Sequence, residues 1–321
     1  MGDDDQTIYA WRLADVRRVI SLASRLPGLH RVDLTVNYRC PAPVVERAVR
    51  LVAHNRERFE KQISARPAAM GELRLAPLAT DDATRARRIL RRWVEEGLSL
   101  ADGARAPAAR PRAERWAVLA RTNAELAPFA AVALEMGIPF TSQEHGLLLG
   151  DPRLDVLLDA GISSDGPGAD PLLAIGRLRS KHPPGLGDGS TGLSTNRLIA
   201  SLLAWAARYP TLARLREALQ EARARLRALH RDDALLVLAT AHGTKGLEFD
   251  YVVVVGMDDG RFPSRRSLEE ADDPDRVLEE ERRLAYVAWT RAKRDLVLVY
   301  DPGAPSPFLR EAFSEAELRG A

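Results

Sequence analysis

Cysteine is nearly missing from this sequence: Cys40 is the only one in 321 residues. A single thiol rules out an internal disulfide framework and fits a reducing, cytoplasmic compartment. Long apolar runs are missing too. No stretch approaches the roughly 18 residues of a membrane span, and no basic-then-apolar leader opens the chain, so no membrane partner is expected. A strong charge of either sign is also lacking, with 47 basic and 45 acidic residues for a net charge of +2. That balance argues neither for nor against a nucleic acid partner. Lysine is scarce, since Lys61, Lys181, Lys245 and Lys293 leave 43 arginines among the 47 basic residues. A GC-rich gene accounts for most of that bias.

What is present suits a globular α/β protein. The apolar fraction of 45% supplies a core, and the length exceeds one average domain. Runs with β-branched character recur at "VDLTV" (32–36), "ELRLAPL" (72–78), "WAVLA" (116–120), "ALLVLATA" (234–241), "YVVVVGM" (251–257) and "DLVLVY" (295–300). Several lack alternation, as strands buried on both faces of a parallel sheet do. Helical patterns lie between them at 42–55, 81–97, 123–137 and 276–290. Asp81 and Asn123 are candidate N-caps, and Gly97 and Gly137 candidate stops. Strand and helix in alternation predict a doubly wound sheet. The pattern breaks over 151–233, where Gly/Pro/Ser-rich stretches separate helical segments with almost no strand signal. That region reads as a small helical insertion, and 102–113 as a solvated loop.

Four stretches carry candidate chemistry. In "GDDDQTIYAWR" (2–12), Gln6 can donate to a phosphate oxygen or hold a water. Tyr9 and Trp11 can stack on unpaired bases, with Arg12 nearby for a phosphate. A polar terminus followed by core aromatics is the plainer account. In "NYRCPAP" (37–43), a strand ends at Asn37, Tyr38 and Arg39, and Pro41 and Pro43 set the first turn of a helix. Arg39 can grip a phosphate bidentately and Tyr38 offers a ring to a purine, past a strand's carboxyl end where such sheets bind nucleotides. In "ATAHGTKGLEFDYVVVVGM" (239–257), glycines admit close backbone approach, His242 and Lys245 supply donors, and Glu248 can accept from sugar hydroxyls. The phosphate-loop spacing G-x-x-x-x-G-K-[ST] is absent there. In "EEERRLAYVAWTRAK" (279–293), acids lead and Arg291 ends a helix, which suits the helix dipole. A solvated charged face accounts for most of those charges, but not for Thr290-Arg291 bordering a strand.

In this order the four stretches resemble motifs III, IV, V and VI of the UvrD/Rep-type superfamily 1 DNA helicases. The resemblance implies a RecA-like parallel sheet flanked by helices. It divides the chain into a remnant of a first RecA-like domain (1–28), the two parts of a second (29–150 and 234–321), and the insertion (151–233). It implies that Gln6, Arg39 and Arg291 meet the γ-phosphate of ATP, the arginines stabilising transition-state charge. Tyr38 would stack on adenine and Glu248 would bind the ribose. Tyr9, Trp11, Arg12 and His242 would face single-stranded DNA. The family's phosphate loop, Asp-Glu magnesium motif and adenine-reading glutamine motif have no counterpart here. "HGTKG" also departs from the commoner small-residue-Ala-Lys-Gly. No metal ligand is therefore expected in this chain. Magnesium, and the N-terminal RecA-like half as partner, would come from elsewhere, and the opening inside motif III is the expectation for a truncated chain. The implied function is the C-terminal part of an ATP-dependent helicase or translocase, inactive as an ATPase alone. A non-catalytic nucleic-acid-binding or regulatory module, or a subunit of a helicase-nuclease complex, are the alternatives.

Overall fold

A computed structural model describes residues 2–8, 15–26, 28–98, 114–142, 149, 151–181, 198–199, 202–203 and 206–320. The chain divides into two compact units, Met1–Gln143 with Asp232–Ala321, and Glu144–Arg231. The first unit carries strands β1 (Val36–Asn37), β2 (Ser64–Ala65), β3 (Leu73–Pro77), β4 (Trp116–Ala120), β5 (Phe140–Ser142), β6 (Leu236–Thr240), β7 (Phe249–Val254) and β8 (Ala292–Tyr300). Six of them form one parallel sheet in the order β3-β8-β7-β4-β6-β5, and β1 pairs with β2 alone.

The sheet is covered on both faces, which is why its central strands are apolar without alternation. Every residue of β4 is buried. On one face, alternate residues Ala117, Leu119, Val237, Ala239, Val252 and Val254 share a core with helices Ala42–Val52 and Pro274–Trp289. Val44, Leu51, Leu284 and Val287 are the helical contribution, each at most 1% exposed. Truncating one of them, as in Leu51→Ala, would cost about 2–5 kcal/mol. On the other face Trp93, from helix Asp82–Glu96, tilts against Trp116 with ring centroids 5.1 Å apart. That helix starts as the sequence predicts, with the Asp81 carboxylate accepting from Thr84 N–H at 3.0 Å. Gly97 and Gly137 end their helices with φ of 118° and 70°, the left-handed conformation glycine adopts without strain.

Three expectations need correction. The run "VDLTV" is not a strand except at Val36, and Val32 and Leu34 are 83% and 75% exposed. Its one ladder partner, β2, is two residues long, so apolar character there marks surface rather than core. Asn123 is not the cap of its helix. Thr122 is, because its N–H donates to the Glu125 carboxylate at 2.9 Å. The "EEERRL" charges do not form a solvated face. Glu281, Arg282 and Arg283 are at most 5% exposed and each is paired. Arg282 forks onto Glu311 at 2.7 and 2.8 Å and Arg283 reaches Glu57 O at 2.6 Å, tying the helix to its neighbours.

The acidic start is anchored rather than solvated. Asp4 and Asp5 are 3% and 0% exposed, and Lys61 Nζ lies 2.9, 2.6 and 2.9 Å from Asp3, Asp4 and Asp5. Arg58 Nη2 adds a 3.0 Å contact to Asp5, and Phe59 N–H donates to Asp4 at 2.7 Å. Burial alone would raise the Asp4 carboxyl. The Lys61 and Phe59 hydrogen bonds outweigh it and hold Asp4 below the usual carboxylate range.

The second unit is helical in its described residues, with helices Arg153–Asp165, Pro171–Lys181 and Leu212–Leu229. Leu157, Leu158, Ile175, Leu202, Leu215 and Leu219 make its own core. Arg223 Nη1 on the last helix donates to both Asp155 carboxylate oxygens, at 2.7 and 2.8 Å. No helix among the described residues is long and apolar enough to cross a membrane.

Lys61→Met would leave the buried Asp4 carboxylate without a cation, while Asp5 keeps Arg58, and urea unfolding should show a loss of about 3–5 kcal/mol. A shift under about 1 kcal/mol would make the anchor dispensable. The Asp4 contribution should be complete above its ordinary pKa of 3.8 and fade as pH falls through the depressed value.

Candidate functional site

Two arginines 252 positions apart meet at one residue. Arg39 sits in the turn after β1, where Asn37 Oδ1 accepts from the N–H groups of Arg39 and Cys40, both at 2.9 Å. That turn aims Arg39 Nε at Glu248 Oε2, 3.0 Å away, and Nη1 at Thr290 O, 3.4 Å away across 251 positions of sequence. Thr290 ends helix Pro274–Trp289, so its neighbour Arg291 falls between helix and β8. Arg291 is 1% exposed. Its Nε donates to Val287 O at 2.9 Å, one of the helix's terminal carbonyls. Its Nη1 donates to Leu247 O at 3.1 Å, and its Nη2 lies 3.5 Å from both Gln6 Oε1 and Thr290 Oγ1. Burial first, then the Arg39 charge, push the Arg291 guanidinium down to about 10.

Gln6 is held from both sides. Its side-chain amide donates to Asp3 Oδ2 at 2.6 Å, and its backbone carbonyl accepts from Lys245 Nζ at 2.9 Å. Lys245 reaches it because Gly246, at φ 88°, reverses the chain before β7. Cys40 is packed at the junction, its thiol donating to Thr290 O at 3.3 Å. Burial pushes that thiol up to about 11 against the opposing pull of Arg39 and Arg291, so it is an unreactive filler.

Gln6, Tyr38, Arg39, Glu248 and Lys293 line one open cleft of about 1090 Å³. Tyr38 is 74% exposed on it. Glu248 is bracketed by Arg39 and by Lys293, whose Nζ lies 3.5 Å from Oε1. The Arg39 hydrogen bond, helped by Lys293, keeps the Glu248 carboxyl below its ordinary range despite some burial. The cleft's location corrects one expectation. Relative to the main sheet, Arg39 and Glu248 lie at the amino ends of β7 and β8, because the strand preceding Arg39 belongs to the separate β1-β2 pair.

His242 lies at the opposite edge, in the 3-10 turn Ala241–Thr244 after the carboxyl end of β6. Beside it Arg121 forks onto the buried Glu281 at 2.8 and 2.6 Å. Burial first, then the Arg121 charge, push the His242 imidazole down to about 4, while Glu281 pulls the other way. It is neutral at pH 7. Tyr9, Trp11 and Arg12 lie outside the described residues. The acidic triad Asp3, Asp4 and Asp5 gathers ligand oxygens within 4.8 Å, but the Lys61 ammonium already sits on all three, so these residues do not suit a metal. Sequence reasoning missed Lys61, Arg121 and Lys293. The scarcity of lysine was the available signal, since Lys61, Lys245 and Lys293 all serve this region.

Residues 208–302 match the UvrD-like helicase C-terminal domain family. Beyond that segment, most of the chain is similar in sequence to UvrD- and Rep-type helicases. DNA helicase II of Escherichia coli K12 is 24% identical over 389 aligned residues, covering 94% of this chain and 51% of that protein. ATP-dependent DNA helicase Rep of Salmonella typhimurium LT2 is 24% identical over 383, covering 92% and 55%. DNA helicase II of Rickettsia typhi reaches 43% identity over 94 residues, 26% of this chain and 14% of its own. This chain thus spans about half the length of the UvrD- and Rep-type relatives it matches throughout. The solved C-terminal domain of a possible DNA helicase from Lactobacillus plantarum WCFS1 aligns over 88% of this chain and 96% of its own at 13% identity and TM-score 0.30, too loosely to carry detail.

Because the folded imidazole titrates near 4 and an unfolded one near 6.5, His242 should make the unfolding free energy fall as pH drops from 6.5 towards 4. His242→Gln should flatten that part of the profile. NMR titration showing His242 protonated at pH 6 would contradict the assignment.

Proposed function

We propose that this chain is the C-terminal part of an ATP-dependent DNA helicase or translocase that couples ATP hydrolysis to movement on single-stranded DNA. The observation that carries the reading is the convergence of Arg39 and Arg291 on Thr290, with Gln6 beside Arg291. These are the three residues that the motif resemblance assigns to the γ-phosphate. Homology to UvrD- and Rep-type helicases supports it further.

In this reading Arg39 and Arg291 offer guanidinium charge where negative charge develops on the transferring phosphoryl group. Arg291 is oriented in advance, since Val287 O and Leu247 O fix its plane. Gln6, pinned by Asp3 and Lys245, can orient the attacking water or a phosphate oxygen. Tyr38 presents an exposed ring for adenine, and Glu248 accepts from the ribose. The cationic wall of the cleft suits a nucleotide's phosphates. Magnesium, when bound, neutralises phosphate charge and has its ligands on the N-terminal RecA-like half, which is the proposed partner. This chain alone should not turn over ATP. The surface for single-stranded DNA includes Tyr9, Trp11, Arg12 and His242. A cytoplasmic location goes with the single, unreactive cysteine.

The test is DNA-stimulated ATP hydrolysis by this chain assembled with the N-terminal half. Arg39→Ala and Arg291→Ala should each lower kcat by about 10³-fold or more, with a smaller effect on nucleotide affinity. An assembly that never hydrolyses ATP would overturn the reading, as would full activity in Arg291→Ala. In fluorescence anisotropy, Trp11→Ala should weaken single-strand binding about fivefold or more, from the loss of one base stack.

A further inference from the structure

An acid and a base of the same cleft neutralise one another in it. Glu248 Oε2 accepts from Arg39 Nε at 3.0 Å, with the two side chains 46% and 31% exposed. Water and ions therefore reach the pair, and salt screens it. Arg39's other contact, to Thr290 O, is longer at 3.4 Å. A phosphate approaching this guanidinium meets an Nε already taken by Glu248 and a like charge beside it. Glu248 has a second cation to turn to. Lys293 Nζ stands 3.5 Å from its other oxygen and 3.8 Å from Asp250, so the carboxylate can give up Arg39 without losing every partner.

We propose that Glu248 gates Arg39: it holds the guanidinium while the cleft lacks a polyphosphate anion, yields it to one, and withdraws onto Lys293. No covalent bond changes; one ion pair is exchanged for another. The gate takes its biological meaning from the nucleotide reading above, and it gives Lys293 a positioning role that no motif assigns. It also separates two demands on one carboxylate. Glu248 keeps Arg39 ordered when the cleft holds no anion, and faces the sugar once Arg39 has left it.

The probe is inorganic tripolyphosphate, titrated without magnesium into the full chain by calorimetry at low ionic strength. Glu248→Gln should bind it about tenfold more tightly than the unaltered chain, since the competing charge is gone and Arg39 Nε is free. In an Arg39→Gln background the same change should gain less than about threefold, the difference measuring the coupling between the two residues. Equal gains in both backgrounds would mean that Glu248 acts only through the overall charge of the cleft, and would overturn the gate. Failure of every variant to bind would overturn it too. Lys293→Met should weaken binding more with Glu248 present than in Glu248→Gln; equal weakening would remove Lys293 from the gate. Tightening that requires Arg39, in a protein whose assembly hydrolyses no ATP, would keep the gate and sink the helicase reading.

Discussion

A guanidinium taken out of water has to be met by acceptors, and Arg291 is met by three parts of the chain at once. Its acceptors are the last turn of its own helix, the segment leading into β7, and Gln6 at the amino end. An unpartnered buried charge costs several kcal/mol or more, so these three segments hold one arrangement only while all of them supply oxygen. Arg39 joins the same junction through Thr290 O, which also accepts from the packed Cys40 thiol. The cleft therefore inherits its geometry from the burial of a single side chain.

The segment that carries Gln6 is tied to the rest of the unit by ion pairs, Lys61 and Arg58 neutralising three consecutive aspartates. Lys245 holds it from the other side. Lys61 and Lys293 thus stand where a compact ammonium fits among several oxygens, in a chain that otherwise uses mostly arginine.

Much of the fold was legible because it rests on burial periodicity. The β4, β6 and β7 runs are apolar on both faces and fold as central strands, and helices bounded by Asp81, Gly97 and Gly137 end where those residues act. The run at 32–36 misled because an apolar pattern does not say whether anything covers it. β5 went unread, since the three residues Phe140–Ser142 are too few to show a period. The grouping of Gln6, Arg39 and Arg291 was readable only through motif order. Nothing in their spacing carries it. The pairing of Glu248 with Arg39, and the buried partners of "EEERRL", depend on contacts across more than 20 positions, which no local pattern encodes.

The most direct measurement is a structure of this chain with its N-terminal half, bound to ADP and a metal-fluoride mimic of the transferring phosphoryl group. The account predicts that guanidinium nitrogens of both Arg39 and Arg291 hydrogen-bond the fluoride group, with Arg39 released from Glu248. It is contradicted if Arg39 stays on Glu248 and Arg291 stays wholly on its carbonyls while the mimic sits elsewhere.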